Sequence, residues 1–270
     1  MKLILHLLGQ TCIENNHAIV ILPFKKADAI VFYLALEGRR SKEKIKCLFW
    51  GDKDERQASG NIRNVIYLLR KFLPRNFYVE QGGLLLRDYA LDVDELCASY
   101  DGGISPLLFE EPLCGFESLE IPDFNEWLIC ARKQIREKII AWLRTRAYVF
   151  SNKGMEGARI ESLLAILKID PFDEGTVLEL MKMYVTYNQT IKALCIYKEF
   201  CKKLQSEAQV RPCAELRHFA EKLSIDAPNK KSGREEFFCG RKSEVRKVLD
   251  SAMYQSSRMQ LYFIHGEAGV

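Results

Sequence analysis

No stretch of the 270 residues is apolar over the roughly 18–20 positions that a membrane-spanning helix needs. The apolar start, MKLILHLLGQ, is short and has no A-x-A cleavage site. Polar residues follow at once, so it reads as a strand and not a signal peptide. No C-x-x-C pair occurs among the nine cysteines, which are Cys12, Cys47, Cys97, Cys114, Cys130, Cys195, Cys201, Cys213 and Cys239. The four histidines (His6, His17, His218, His265) do not gather near any pair of them, so no zinc spacing exists. An odd number of thiols in apolar stretches predicts small buried hydrophobes in a reducing cytoplasm, with no metal. Extremes of composition are also missing. At 48% hydrophobic and 28% charged residues, the chain is neither disordered, collagen-like nor one coiled coil. Its length fits about two domains.

The net charge of +4 is unevenly spread. Residues 1–90 hold 15 Lys/Arg against 9 Asp/Glu, and the remaining 180 hold 25 against 27. A basic first part beside a slightly acidic second part points to an anionic partner on one side.

The first part mixes strands and helices. LILHLLG and AIVILP read as strands around a turn at Glu14-Asn15-Asn16. KKADAIVFYLALEG is a helix ended by Gly38. Ser41 then caps a second short helix, KEKIKCLFW. GDKDERQASG reads as a polar loop, and NIRNVIYLLRKFL as a third helix ended before Pro74. FYVEQGGLLLRD is a hairpin about Gly82-Gly83. Three helices and a hairpin are the layout of a winged helix-turn-helix. At 100° per residue, Ile62, Val65, Ile66, Leu69, Phe72 and Leu73 share one face of the third helix. Opposite lie Gly60, Asn64, Tyr67 and Lys71, with Arg63 and Arg70 on a flank. Such groups bond base edges and phosphates, although a solvated helix face has the same composition.

Four blocks in order carry a family resemblance. KKADAIVFYLAL, SKEKIKCLFWGD, NIRNVIYLLRKFL and VEQGGLLLRDYALDVDEL resemble the N-terminal half of the Streptomyces antibiotic regulatory protein (SARP) family and its AfsR-type relatives. The resemblance implies an OmpR-type winged helix whose third helix enters the major groove while the hairpin approaches the backbone or minor groove. Leu68 stands where Arg is common, and Tyr67 where a small residue is common, which implies a different target sequence.

Beyond residue 91 the pattern is almost all helical. DFNEWLICARKQIREKIIAWLRTRAYVF follows Pro122, and further helices follow Gly154 and Pro171. A repeat with offset 35 sets Lys153 over Asn188 and Ala158 over Ala193, like a tetratricopeptide unit. WL-x-x-x-R and DPFDE-x-x-x-x-x-LM-x-x-Y also resemble the family's bacterial transcriptional activator domain. That domain implies protein contacts, often dimerisation on DNA.

The predicted fold class is an α+β winged helix-turn-helix domain (1–91) followed by an all-α TPR-like domain (92–225). DAPNKKSGREE, residues 226–236, reads as a linker. Residues 237–270 resemble the incomplete start of a P-loop ATPase domain: FFCGRKSEVRKVLDSAM, then a strand running into Gly266-Glu267-Ala268-Gly269-Val270. Gly266 and Gly269 fit a partial phosphate loop, but the Gly-Lys-Ser/Thr that grips phosphate and Mg²⁺ is absent. The chain is therefore expected to be no enzyme and to hold no cofactor, ATP and Mg²⁺ belonging to a longer parent.

The expected function is sequence-specific transcriptional regulation, activation by resemblance. Arg63, Asn64, Tyr67, Arg70 and Lys71 are the candidates for base contact. Lys25, Lys26, Ser41, Lys42, Lys44, Arg75 and Arg87 are the candidates for phosphate contact. The expected partners are promoter DNA in direct repeats, RNA polymerase and a second copy of the chain, with no membrane, in the cytoplasm at the nucleoid. The alternative is an adaptor fragment of a STAND-type ATPase that switches protein contacts with nucleotide.

Overall fold

The computed structural model describes residues 2–226. The linker from 227 on and the partial phosphate loop at Gly266 and Gly269 lie outside the described residues. Residues 1–220 make one unit, and 221–270 a second.

The chain opens with β1 (Leu3–His6), β2 (Cys12–Asn15) and β3 (Ala18–Val20). Their sheet has the order β3-β2-β1-β7, β7 being Tyr89–Leu91. β1 and β2 are antiparallel, and β1 and β7 are parallel. Leu3 and Leu5 alternate into the core, as period two requires. The turn falls at Asn16–His17, both at positive φ, and not at Glu14–Asn16. Glu14 and Asn15 are strand residues paired with Ile19 and Ala18. Asp92 closes the sheet. Its buried carboxylate accepts from the backbone N–H groups of Leu7 (2.9 Å), Leu8 (3.1 Å) and Val93 (2.8 Å).

α1 (Lys25–Glu37) is buried on several sides, from Ala27 to Ala35, so it forms the centre of the first part. Gly38, at φ 71, ends it. β4 (Arg40–Ser41) and α2 (Lys42–Trp50) follow, with the Ser41 hydroxyl accepting from the Lys44 N–H as expected. α3 runs over Glu55–Phe72. It starts six residues before Asn61, because Asp54 caps it by accepting from the Gln57 N–H at 2.8 Å. The polar stretch read as a loop is thus half helix. β5 (Phe77–Glu80) and β6 (Gly83–Leu86) form the hairpin, and β4 adds to β6 as a third strand. Gln81 (φ 45) and Gly82 (φ 75) make its turn, a backbone that glycine adopts without strain.

α4 (Asp92–Leu96) leads into residues 97–121, which are not helical apart from a short 3-10 turn at Pro106–Phe109. The almost all-helical pattern expected beyond residue 91 does not include this segment, which side chains from α5 hold as a strap. α5 (Pro122–Asn152) is the long helix, with proline in its first turn. Arg132 donates to the carbonyls of Pro112 (2.8 Å) and Leu113 (3.0 Å) and pairs with Glu117. Arg136 pairs with Glu111. Arg146, only 3% exposed, donates to Tyr100 O, Gly102 O, Ala158 O, Ser162 Oγ and Glu161, and stacks on Phe150. α6 (Glu156–Ile169), α7 (Glu174–Thr186), α8 (Thr190–Lys203), a π-helical turn (Leu204–Ala208) and α9 (Ala214–Asp226) complete the described chain. The offset of 35 falls on two helix pairs, α5–α6 and α7–α8, and Ala193 is fully buried.

One core runs from the sheet into α5 and α6. Its centre is aromatic. Phe124 lies 5.0 Å from Phe49, and Trp127 lies 5.1 Å from Tyr33, ring centre to ring centre. Phe116 of the strap bridges Phe124 and Phe32. The Trp127 Nε1–H donates to Glu37 at 2.9 Å, and Glu37 pairs with Arg40 of β4.

Two stability predictions follow from this packing. Arg146→Ala removes a buried guanidinium together with its bonds to Tyr100 O, Gly102 O and Ser162 Oγ, and is expected to lower unfolding free energy by about 3–5 kcal/mol in urea titration. Arg146→Lys should recover little, because three ammonium donors do not match the guanidinium fork. Wild-type stability of Arg146→Ala would contradict this. The second concerns Asp28, which lies half-buried in a cavity of about 450 Å³ between β2, β3, α1 and Cys114–Phe116. Burial pushes its carboxyl up to about 6 against the pull of Lys25. An acid raised on folding stabilises the fold below its unfolded value of about 4 and loses that contribution as pH rises through about 6. Asp28→Asn should therefore remove a fall in stability between pH 4 and 6, measured by thermal melting across that range.

Candidate nucleic-acid interface

α3 buries Ala58, Ile62, Val65 and Leu69 and turns its other side outward. Arg63, Asn64, Tyr67, Arg70 and Lys71 are all exposed on that side, as the helical arithmetic predicts. Tyr67 is 65% exposed, a large ring with nothing to cover it. Asn64, Tyr67 and Arg70 make no side-chain hydrogen bond among the described residues. The Arg63 Nε–H donates to Ser59 O at 2.9 Å, which lays its guanidinium back along the helix. Arg70 and Lys71 stand in the last turn, where the helix dipole favours cations.

The earlier start of α3 adds Arg56 and Gln57 to the same exposed side. The reading of a loop over 51–60 missed both. The signal was present: Asp54 followed three residues later by Gln57 has the spacing of a capping box.

The phosphate candidates divide into three groups. Ser41, Lys42 and Lys44 open α2 beside the hairpin tip, where the Lys42 N–H donates to Gly82 O at 3.3 Å. Arg75 and Arg87 lie at the other end of the hairpin. Arg87 pairs with Glu80 at 2.9 Å and stacks on Tyr78, and Tyr78 donates its hydroxyl proton to Arg75 O. Asn76 clamps this end by donating to the carbonyls of Arg87 and Asp88. Lys25 and Lys26 turn elsewhere. Lys25 Nζ donates to Ser118 Oγ of the strap. Lys26 Nζ donates to Phe49 O at the end of α2 and sits over Trp50. Arg39 fixes the hairpin tip by donating to Gln81 Oε1, Glu80 O and Gln81 O.

Two electrostatic features set this surface. The Lys46 ammonium beside Glu55 holds that carboxyl below its ordinary range and ties α2 to α3. At the end of α1, burial opposes ionisation of Glu37, but hydrogen bonds from Trp127 and Arg40 outweigh it and hold the carboxyl below its ordinary value. Among the described residues there is no group of three or more His, Cys, Asp or Glu able to hold a metal. No helix among them is long and apolar enough to cross a membrane.

Comparison with known proteins bears on both parts. The bacterial transcriptional activator domain matches residues 108–224. No curated protein matches the chain. A solved structure described as Mycobacterium tuberculosis EmbR in complex with low affinity phosphopeptide is similar in fold, with a TM-score of 0.60 and 17% identity. The match covers 93% of this chain and 70% of that one. Three helices and a hairpin thus precede a bacterial transcriptional activator domain at residues 108–224, a winged helix followed by a helical domain, and the EmbR structure shares that fold.

Proposed function

We propose that the chain reads double-stranded promoter DNA with the exposed side of α3 and regulates transcription through its helical domain. The observation that carries this is the outward row of Arg56, Arg63, Asn64, Tyr67, Arg70 and Lys71 on one rigid helix. These groups spend almost none of their hydrogen-bonding capacity inside the protein. Arg and Asn match the major-groove edges of guanine and adenine. Ser41, Lys42 and Lys44 on one side, and Arg75 and Arg87 on the other, hold the flanking phosphates. Lys25 and Lys26 have structural duties and leave the phosphate set. The basic excess of residues 1–90 supports long-range attraction to DNA.

In this reading the helical repeats contact a second protomer on direct repeats, or RNA polymerase, and residues 1–91 and 92–225 are the two working parts. The chain performs no chemistry of its own.

Fluorescence anisotropy with duplexes from the upstream region of its own gene tests the reading. Arg63→Ala is expected to lose about 1–3 kcal/mol of binding and to relax preference at one base pair. Lys44→Ala should weaken binding equally on all sequences and lower the slope of log K against log salt by about one. No binding at low salt, or Arg63→Ala with Asn64→Ala binding like wild type, would overturn the proposal.

A further inference from the structure

Gly60 stands in the interior of α3, sixth of its 18 residues and past its first turn. Glycine destabilises a helix interior relative to alanine, so its presence calls for a reason. Other glycines of the described helices, Gly157 and Gly175, stand second in their helices, where the loss is smaller. The protein itself supplies no reason at Gly60. Its φ lies outside the positive range, and a Cβ built there meets nothing within 4 Å. Neither a turn nor packing requires the missing side chain.

The surroundings define a notch. Arg56 and Asn64 are one turn away on either side, Gln57 and Arg63 three residues away, and all four are exposed. The floor is bare helix backbone, whose N–H and C=O groups are already taken by helical hydrogen bonds. Arg63, drawn back to Ser59 O, adds a wall to the notch and leaves its floor open. A floor with no spare donor does not suit a phosphate, which the neighbouring arginines would take. It suits an apolar group. The apolar group that projects from a base edge into the major groove is the C5-methyl of thymine.

We infer that Gly60 is a specificity-determining position: its bare backbone receives a thymine methyl, flanked by base contacts from Arg63 and Asn64. The inference rests on α3 being the DNA-reading helix. A side chain at position 60 would hold the duplex away from the helix and lengthen the contacts of its neighbours.

The test uses the full chain and a duplex of about 20 base pairs selected by it from a random pool. Each thymine of the selected duplex is replaced in turn by deoxyuridine, which lacks only the methyl. At one thymine per site, wild-type affinity should fall about 3- to 10-fold. Gly60→Ala should bind the parent duplex at least about 10-fold more weakly, and should no longer distinguish thymine from deoxyuridine there. Its melting temperature should equal or exceed that of wild type, so the loss is not unfolding. Wild-type binding by Gly60→Ala, or indifference of the wild-type chain to every deoxyuridine, overturns this inference and leaves DNA reading intact. Failure of the wild-type chain to enrich any duplex overturns the DNA reading and this inference with it.

Discussion

The ring cluster of Tyr33, Phe49, Phe124 and Trp127 joins the first part of the chain to the long helix, and the setting of α1 and α2 beneath α3 depends on it. Aromatic contacts at these separations combine large apolar burial with preferred ring angles. α1 and α2 thereby become the bed on which α5 starts. The Trp127 hydrogen bond extends the joint outward to Glu37, then to Arg40, which pairs with Leu84 near the hairpin tip. Substrate for this joint comes from both sequence parts, so the winged helix is not a free head on a flexible neck.

Basic residues serve two separate purposes in this molecule. Arg132, Arg136 and Arg146 bind the strap of residues 97–121 to α5. Arg39 holds the hairpin tip, and Lys26 ends α2. Each of these cations is used up by carbonyls or carboxylates of the protein. Arg56 and Arg70, beside the neutral Asn64 and Tyr67, have no such partner among the described residues. A count of charge per segment mixes the two sets, and only hydrogen-bond partners separate them. That separation is what turns an uneven charge distribution into a candidate surface.

The buried side of α3 was legible in the sequence because a helix of fixed pitch repeats its apolar face locally. Ile62, Val65 and Leu69 needed no knowledge of what they pack on. The glycine hairpin and the Ser41 cap were legible for the same reason: their chemistry lies within a few residues. The start of α3 was masked, since Gly60 and the polar residues before it carry loop composition that hid the Asp54–Gln57 cap. β7 was not legible, because three residues, Tyr89–Leu91, become a strand only by lying parallel to β1 at the other end of the domain. The strap was read as helix because its conformation is imposed by arginines some 20 to 45 residues further on. The hydrogen bonds of Lys25 to Ser118 and of Lys26 to Phe49 were not legible, because those partners lie 93 and 23 residues away.

The central claim is that the outward side of α3 lies against DNA. Photocross-linking tests it most directly, with benzoylphenylalanine in place of Tyr67 and, separately, of Tyr187 at the exposed end of α7. With a selected duplex, the chain labelled at position 67 should cross-link to bases within the bound site, and the chain labelled at 187 should not. Cross-linking from 187 with none from 67 would contradict the account.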